Sequence, residues 1–376
     1  MVQTAKAPKY RKVFDALQRE IRSGRLQPGD RLPSEADLER SFGASRITVG
    51  RAVRDLQLAG LVERRVGSGS YVKAPSVPDA LSFGLLIPDL GETEIFEPIC
   101  QGMMASPLAR QHALLWGSLT SATTSKEERA WQLCRQYIDR RVSGVFFAPL
   151  ELTAGKDAVN RKIAQALDDA GIPVVLLDRT VLPYPERGVH DLVGIDNRRA
   201  GYRITEHLLR LGSRRIAFVG IENAAATVEA REAGYREALS AWGASIKPEF
   251  VHRLDPTNVA DVQRVMESAH PDAIVCANDW TAARLMHTIL GLGYSVPDVV
   301  RLVGIDDLDY ASLLPIPLTT LRQPTREIGA AAFAAMLDRV TRPDTPVRDI
   351  LLQTQLVVRR SCGASLKTGE LTRAPD

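Results

Sequence analysis

Residues 32–72, LPSEADLERSFGASRITVGRAVRDLQLAGLVERRVGSGSYV, decide how the first part of this chain folds. The run SEAD at 34–37 is the grammar of a helix start: the Ser34 hydroxyl accepts from an N–H that the first turn leaves unpaired. Leu38 and Phe42 follow four apart, an expected buried pair, and Gly43 ends this short helix. Ser45 opens a second helix. Val49, Ala52, Val53 and Leu56 form its inward stripe, Arg46, Arg51 and Arg54 lie off that stripe, and Thr48 is at its edge. Gly60 closes it. Strand-like pairs at 61–62 and 71–72 flank RRVGSG at 64–69, a basic ribbon with a glycine tip. Upstream, Tyr10, Val13, Phe14, Leu17 and Ile21 recur at helical spacing up to Gly24. Three helices and a Gly-tipped ribbon make a winged helix-turn-helix.

The charge is distributed to match. Residues 1–73 hold 15 Lys/Arg against 8 Asp/Glu, whereas the rest of the 376-residue chain holds 33 against 37. A basic head on a mildly acidic body fits a polyanion partner, though charge alone fits a solvated surface as well. The helix pattern tips the balance toward DNA. A helix fits the major groove, and residues at its N-terminal end reach base edges. Arginine offers a fork of donors to guanine, while serine and threonine bond phosphate or base. Any one of these arginines alone reads more readily as a surface ion-pair partner. The residues expected to face DNA are Arg31, Ser34, Ser45, Arg46, Thr48 and Arg51, with Arg64, Arg65, Gly67, Ser68 and Gly69 in the wing.

This stretch resembles the signature of GntR-family repressor heads over about residues 8–73. The resemblance implies a winged-helix operator-binding domain that works as a homodimer on palindromic double-stranded DNA. It matches Ser45, Arg46 and Thr48 to the start of the recognition helix and residues 67–69 to the wing. Ala36 and Gly50 stand where the family commonly places arginines, which shifts expected readout toward Arg31, Arg51 or Arg54.

The remaining length calls for further domains. Residues 74–82, APSVPDALS, read as a linker. From residue 83 apolar runs alternate with amphipathic helical patterns: FGLLI (83–87), ALLWG (113–117), GVFFA (144–148), VVLLD (174–178), RIAFVG (215–220), AIVCA (273–277) and VVRLVGI (299–305). Such alternation predicts parallel, doubly wound α/β sheets, and about 280 residues suggest two lobes. Ligands of these sheets sit beyond the carboxyl ends of the strands. Polar residues stand there: Asp89, Asp178 and Arg179, Asn278 and Trp280, Asp306, and Arg231 in a following helix. Each carboxylate could instead cap a helix. Phe96 and Trp280 offer rings that could pack on a sugar's C–H face.

The body resembles the effector domain of the LacI/GalR repressors, related to periplasmic sugar-binding proteins, over about residues 83–360. The matching pieces include PVVLLDR (173–179), VGIDNRRAGYRITEHLLRLGSRRIAFVG (193–220), DAIVCANDWTAARLM (272–286) and VVRLVGIDDLDYASLLPIPLTTLRQP (299–324). The resemblance implies effector contacts at Asp178, Arg231, Asn278 and Asp306. Phe96, Arg179, Trp280 and Gln323 follow as positions of variable role. It also implies lobe crossings near 192–197, 318–324 and 340–350. The fold class is therefore multidomain: an α+β winged helix-turn-helix at 1–73, a linker at 74–82, an α/β two-lobed periplasmic-binding-protein-like domain at 83–360, and a tail at 361–376.

Other classes find no support. Gly24-x4-Gly29 precedes Asp-Arg rather than Lys-Ser/Thr, so it is no phosphate loop, and HExxH, GxSxG and GxGxxG are absent. The six histidines are scattered. Four distant cysteines form no CxxC pair, which argues against a disulfide framework or zinc site and for a reducing cytoplasm. No apolar run spans a membrane, and no signal peptide is read. The expectation is a cytoplasmic, non-enzymatic, effector-responsive repressor of carbohydrate-utilisation genes. It needs no cofactor, and its effector is a small sugar, an arabinose-like pentose first. Two alternatives stay open: corepression by the small molecule, and a sugar sensor acting through protein partners.

Overall fold

A computed structural model gives the fold and describes residues 9–58, 60–65, 68–73, 80–87, 95–117 and 125–364. The chain divides into two compact units. Gly67, Asp89, linker residues 74–79 and tail residues 365–376 lie outside the described residues.

In the head, α1 (Lys9–Arg22), α2 (Glu35–Phe42) and α3 (Arg46–Leu58) precede a ribbon of β1 (Val62–Arg65) and β2 (Gly69–Val72). The strands pair antiparallel, Val62 with Val72 and Arg65 with Gly69. Their core is small: Val13, Leu17, Leu32, Leu38, Val49, Ala52, Val53, Leu56, Val62 and Val72, with Ala44. Ser34 caps α2 by accepting from the Asp37 N–H, and Gly43 ends it in the left-handed region at φ 55°. Phe42 corrects the sequence expectation. It is 38 % exposed, because an eight-residue helix turns only Leu38 fully into so small a core.

The body runs in chain order through β3 (Ser82–Leu86), α4 (Phe96–Ala105), β4 (Ala113–Trp116), α5 (Lys126–Asp139), β5 (Gly144–Phe147), α6 (Lys156–Asp169), β6 (Val174–Leu177) and β7 (Asp191–Ile195). It continues with α7 (Asn197–Arg210), β8 (Ile216–Gly220), α8 (Ala226–Ala241), β9 (Val251–Arg253), α9 (Val259–Ala269), β10 (Ala273–Cys276), α10 (Asp279–Gly291), β11 (Arg301–Asp306) and β12 (Thr319–Arg322). The last elements are α11 (Thr325–Thr341), β13 (Asp349–Leu352) and β14 (Gln355–Val357). Two six-stranded sheets result, ordered β13-β7-β6-β5-β3-β4 in the first lobe and β14-β12-β11-β10-β8-β9 in the second. Every pairing is parallel except β14 with β12. Strands β5, β6, β8 and β10 are buried along their whole length because helices cover both faces.

The chain passes between the sheets three times: at residue 196 after β7, at 323–324 after β12, and at 353–354 between β13 and β14. The third passage lies beyond the expected 340–350, because 349–352 still pairs with β7 in the first sheet. Strands β9, β12, β13 and β14 carry no long apolar run, so periodicity did not flag them as strands. In the second lobe α7 and α8 cross at a glycine pair. A Cβ at Gly201 would stand 1.9 Å from the Arg231 carbonyl, and one at Gly234 would stand 1.8 Å from that of Arg198. The small residues let α8 lie close enough to carry Arg231 to the strand ends.

Candidate effector cavity and DNA-reading surface

Between the two lobes of the body lies a cavity of about 350 Å³. Asp178, Arg179, Arg231, Asn278, Trp280 and Asp306 all line it, together with Lys126, Glu151 and Thr281 and apolar side chains such as Ile95, Leu152, Val228 and Leu308. Asp178 follows β6 at φ 66°, and Asp306 ends β11 at φ 135°. Both are sparsely populated conformations for a residue with a Cβ, and such strain gathers at functional sites.

Arg231 organises the second-lobe side. Its Nε donates to Asn197 Oδ1 at 2.8 Å and one terminal nitrogen to the Ala277 carbonyl at 2.6 Å; the other lies 3.5 Å from Asp306 Oδ1. Gln323 Nε2 donates to the same Asp306 oxygen at 2.7 Å. Burial pushes the Asp306 carboxyl up to about 6, with Arg231 and Gln323 opposing that rise. Behind it Asp279, fully buried, accepts from Thr320 Oγ1 at 2.6 Å and the Leu308 N–H at 3.1 Å. Burial and the Asp306 charge push Asp279 up to about 7. Asn278 spends its Oδ1 on the Thr281 N–H, capping α10, which leaves its Nδ2 as the group available to a ligand.

On the first-lobe side Arg179 contacts Glu151 Oε1 at 2.6 Å and Asp178 Oδ2 at 3.4 Å. Burial raises Asp178, partly offset by the two arginines. It raises Glu151 too, but Arg179 outweighs it and holds that carboxyl below its usual range. Glu151 also accepts from the Ala225 N–H at 3.2 Å, and the Leu152 N–H donates to the Asn223 carbonyl at 2.7 Å, so both bonds join the lobes. Asp178 Oδ1 and Thr281 Oγ1 are buried without a hydrogen-bond partner among the described residues.

Two expected residues take a different place. The Phe96 ring is 1 % exposed, with the Arg179 guanidinium 5.3 Å from its centroid, so it supports an arginine and does not line the cavity. Gln323 is likewise behind the wall, holding Asp306. Sequence reasoning missed Glu151, Lys126 and Asn197. Glu151 had a signal: it lies four residues past β5, the strand-end position that flagged the others.

On the head, Ser45 and Arg46 are exposed at the start of α3. Arg46 Nε lies 3.6 Å from one oxygen of Glu35, and an Arg64 terminal nitrogen lies 3.9 Å from the other. Helix start and wing thus converge on one carboxylate. Arg65 points the other way, as strand alternation requires: it pairs with Glu63 at 2.7 Å and covers the Tyr71 ring. Arg51 lies over Tyr10, 4.1 Å from its centroid. Arg31 stands opposite Tyr71 and against Gly69, where φ is 117° and a Cβ would meet its Nε at 3.0 Å. The serine hydroxyls are engaged locally: Ser34 with Asp37, Ser45 with Thr48 Oγ1, and Ser68 with Tyr71 Oη.

Comparison with known proteins agrees with both halves. Residues 9–72 match the family described as bacterial regulatory proteins, gntR family, and residues 205–362 match the periplasmic binding protein-like domain. The chain is therefore a transcriptional regulator that joins a GntR-type winged helix-turn-helix to a periplasmic-binding-protein-like domain, and not an enzyme. Among its relatives, the arabinose metabolism transcriptional repressor of Geobacillus stearothermophilus is 28 % identical over 367 residues, covering 94 % of this chain and 97 % of that one. The HTH-type transcriptional regulator CelR of Thermobifida fusca is 37 % identical over 205 residues, 53 % of this chain and 59 % of the relative. A solved transcriptional regulator CelR–cellobiose complex superposes with a TM-score of 0.63 at 27 % identity, covering 85 % of this chain and 91 % of that one.

Proposed function

We propose that this protein is a cytoplasmic repressor of carbohydrate-utilisation genes, a homodimer on a palindromic operator, released by a small neutral sugar held between the body's lobes. The observation that carries the reading is the wall of the cavity. It presents three carboxylates (Glu151, Asp178, Asp306) and three cations (Lys126, Arg179, Arg231). Among the described residues these charges balance, so none of either sign is left over to demand an anionic or cationic ligand. A polyol suits such a wall, because each hydroxyl donates to one group and accepts from another. The relatives named for arabinose metabolism and the cellobiose complex support a sugar, with an arabinose-like pentose the first to test. Asp178, Arg231, Asn278 and Asp306 are the assigned contacts, Arg179 and Trp280 the flanking ones. Sugar binding biases the lobes, and the head's operator affinity changes through the dimer, with coupling of about 1–3 kcal/mol typical of such systems.

The test is a thermal-shift screen of pentoses, hexoses, disaccharides and their phosphates, followed by calorimetry on Asp306→Ala. A ligand at about 100 times its Kd adds about 2.7 kcal/mol of stability. A neutral sugar should score, its phosphate should not, and Asp306→Ala should bind operator but ignore the sugar. Undiminished sugar affinity in that variant sinks the assignment.

A further inference from the structure

The head carries two features of α3 that its own packing does not explain. Ile47 is 86 % exposed, on the first turn of the helix between Arg46 and Thr48. Lone apolar residues on a surface are common, so exposure by itself decides nothing. Gly50 lies one turn further on the same face, since residues three apart on a helix are neighbours. A glycine inside a helix lowers its stability relative to alanine. Packing does not call for it: no atom lies within 4 Å of where its Cβ would be, and its φ is not in the left-handed region. The bare helix surface at Gly50 leaves room for another surface to come close to the backbone there. Around the strip stand Arg46, 82 % exposed at its side chain, and Arg64, 69 % exposed, which suit a polyanion.

We infer that Ile47 and Gly50 form an apolar reading strip that takes the 5-methyl group of an operator thymine in the major groove, with Gly50 letting the helix seat deeply enough for the contact. The inference rests on the DNA-binding reading above. A branched aliphatic side chain has no donor or acceptor to offer a base edge, and the thymine methyl is the one apolar feature the groove displays. The strip thereby adds to the readout a term that the arginines do not supply.

The experiment uses the full-length protein. In vitro selection from a random duplex pool yields its operator, and each thymine is then replaced singly by deoxyuridine, which lacks only the methyl. Titration at fixed salt reads the result. One thymine per half-site should lose about three- to tenfold in affinity on replacement, the scale of one methyl contact. The penalty should shrink below about twofold in Ile47→Ala and return in Ile47→Val. Gly50→Ala should raise the melting temperature yet weaken operator binding. Uniform tolerance of deoxyuridine, or a penalty undiminished in Ile47→Ala, overturns the inference while leaving the repressor reading intact. Failure to enrich any sequence overturns both.

Discussion

At the head's surface the Arg46 side chain is 82 % exposed, and its neighbouring carboxylate is 3.6 Å away. In the body's cavity the Arg231 side chain is 4 % exposed, with hydrogen bonds to Asn197 and Ala277 and a contact to Asp306. The first pair sits in water and contributes at most about 1 kcal/mol, so Arg46 can leave Glu35 for a phosphate or a guanine at little cost. The second is held in place by its surroundings before any ligand arrives. An exposed cation that must exchange partners and a buried one that must keep them are the same residue type under different solvation. Under the proposed function, this difference suits a DNA-reading head to exchange of partners and an effector cavity to preorganisation.

Replacing both arginines by methionine is the sharpest way to break this contrast. Arg231→Met leaves Asp306 buried without its cation and should cost about 3–5 kcal/mol of stability, along with all sugar affinity. Arg46→Met should leave the urea midpoint nearly unmoved but remove about 1–3 kcal/mol of discrimination at one base pair. Denaturant titration and operator competition at fixed salt read the two. Equal stability losses in the two variants would abolish the distinction.

The contrast also predicts different pH behaviour. Asp306 is raised to about 6 and Asp279 to about 7, both chiefly by burial. Folding therefore takes up protons: the stabilisation is complete below the unfolded value, about 4, and is lost as pH rises through about 6 to 7. A sugar that donates a hydroxyl to the ionised Asp306 works the other way, so its affinity should rise across that window. Calorimetry at pH 5 and pH 8, in buffers of different ionisation heat, should show tighter binding at pH 8 and proton release at pH 5. Flat affinity would mean that no hydroxyl is donated to Asp306. Operator binding by the head should lack this dependence at equal salt.

How far the sequence revealed all this follows the physics of each part. The buried parallel strands were plain in runs such as VVLLD and AIVCA, because both faces of those strands are covered. Asp178 and Asp306 stood out as polar residues ending apolar runs. TTLR at 319–322 and QLV at 355–357 are too short and mixed for periodicity to mark, and pairing alone makes them strands. Asn197 acts on Arg231 from another element, so no local spacing could announce it, whereas Gln323, which holds Asp306, was named only through the family resemblance. On the head the arginines were visible but not their directions. Strand alternation separates Arg64 from Arg65, and Tyr10, far away in sequence, takes Arg51. Phe96 was given a ring's role toward a sugar when its place is beneath Arg179.

The smallest expected effect tests whether the reader, though built on exposed groups, still depends on local order. Ser34 accepts from the Asp37 N–H at 3.2 Å and donates to Asp37 Oδ2 at 2.6 Å, and that bond comes first in holding the Asp37 carboxyl below its usual range. The next residue is Glu35, the carboxylate shared by Arg46 and Arg64. Ser34→Ala should cost about 1 kcal/mol of head stability by losing the cap. It should also loosen Glu35 and blur base selectivity by a few fold, with sugar affinity unchanged. Ser34→Asp, which can still cap, should restore selectivity. If Ser34→Ala lowers stability but selectivity is untouched, Glu35 does not position the arginines, and the reader's order comes from α3 and the wing alone.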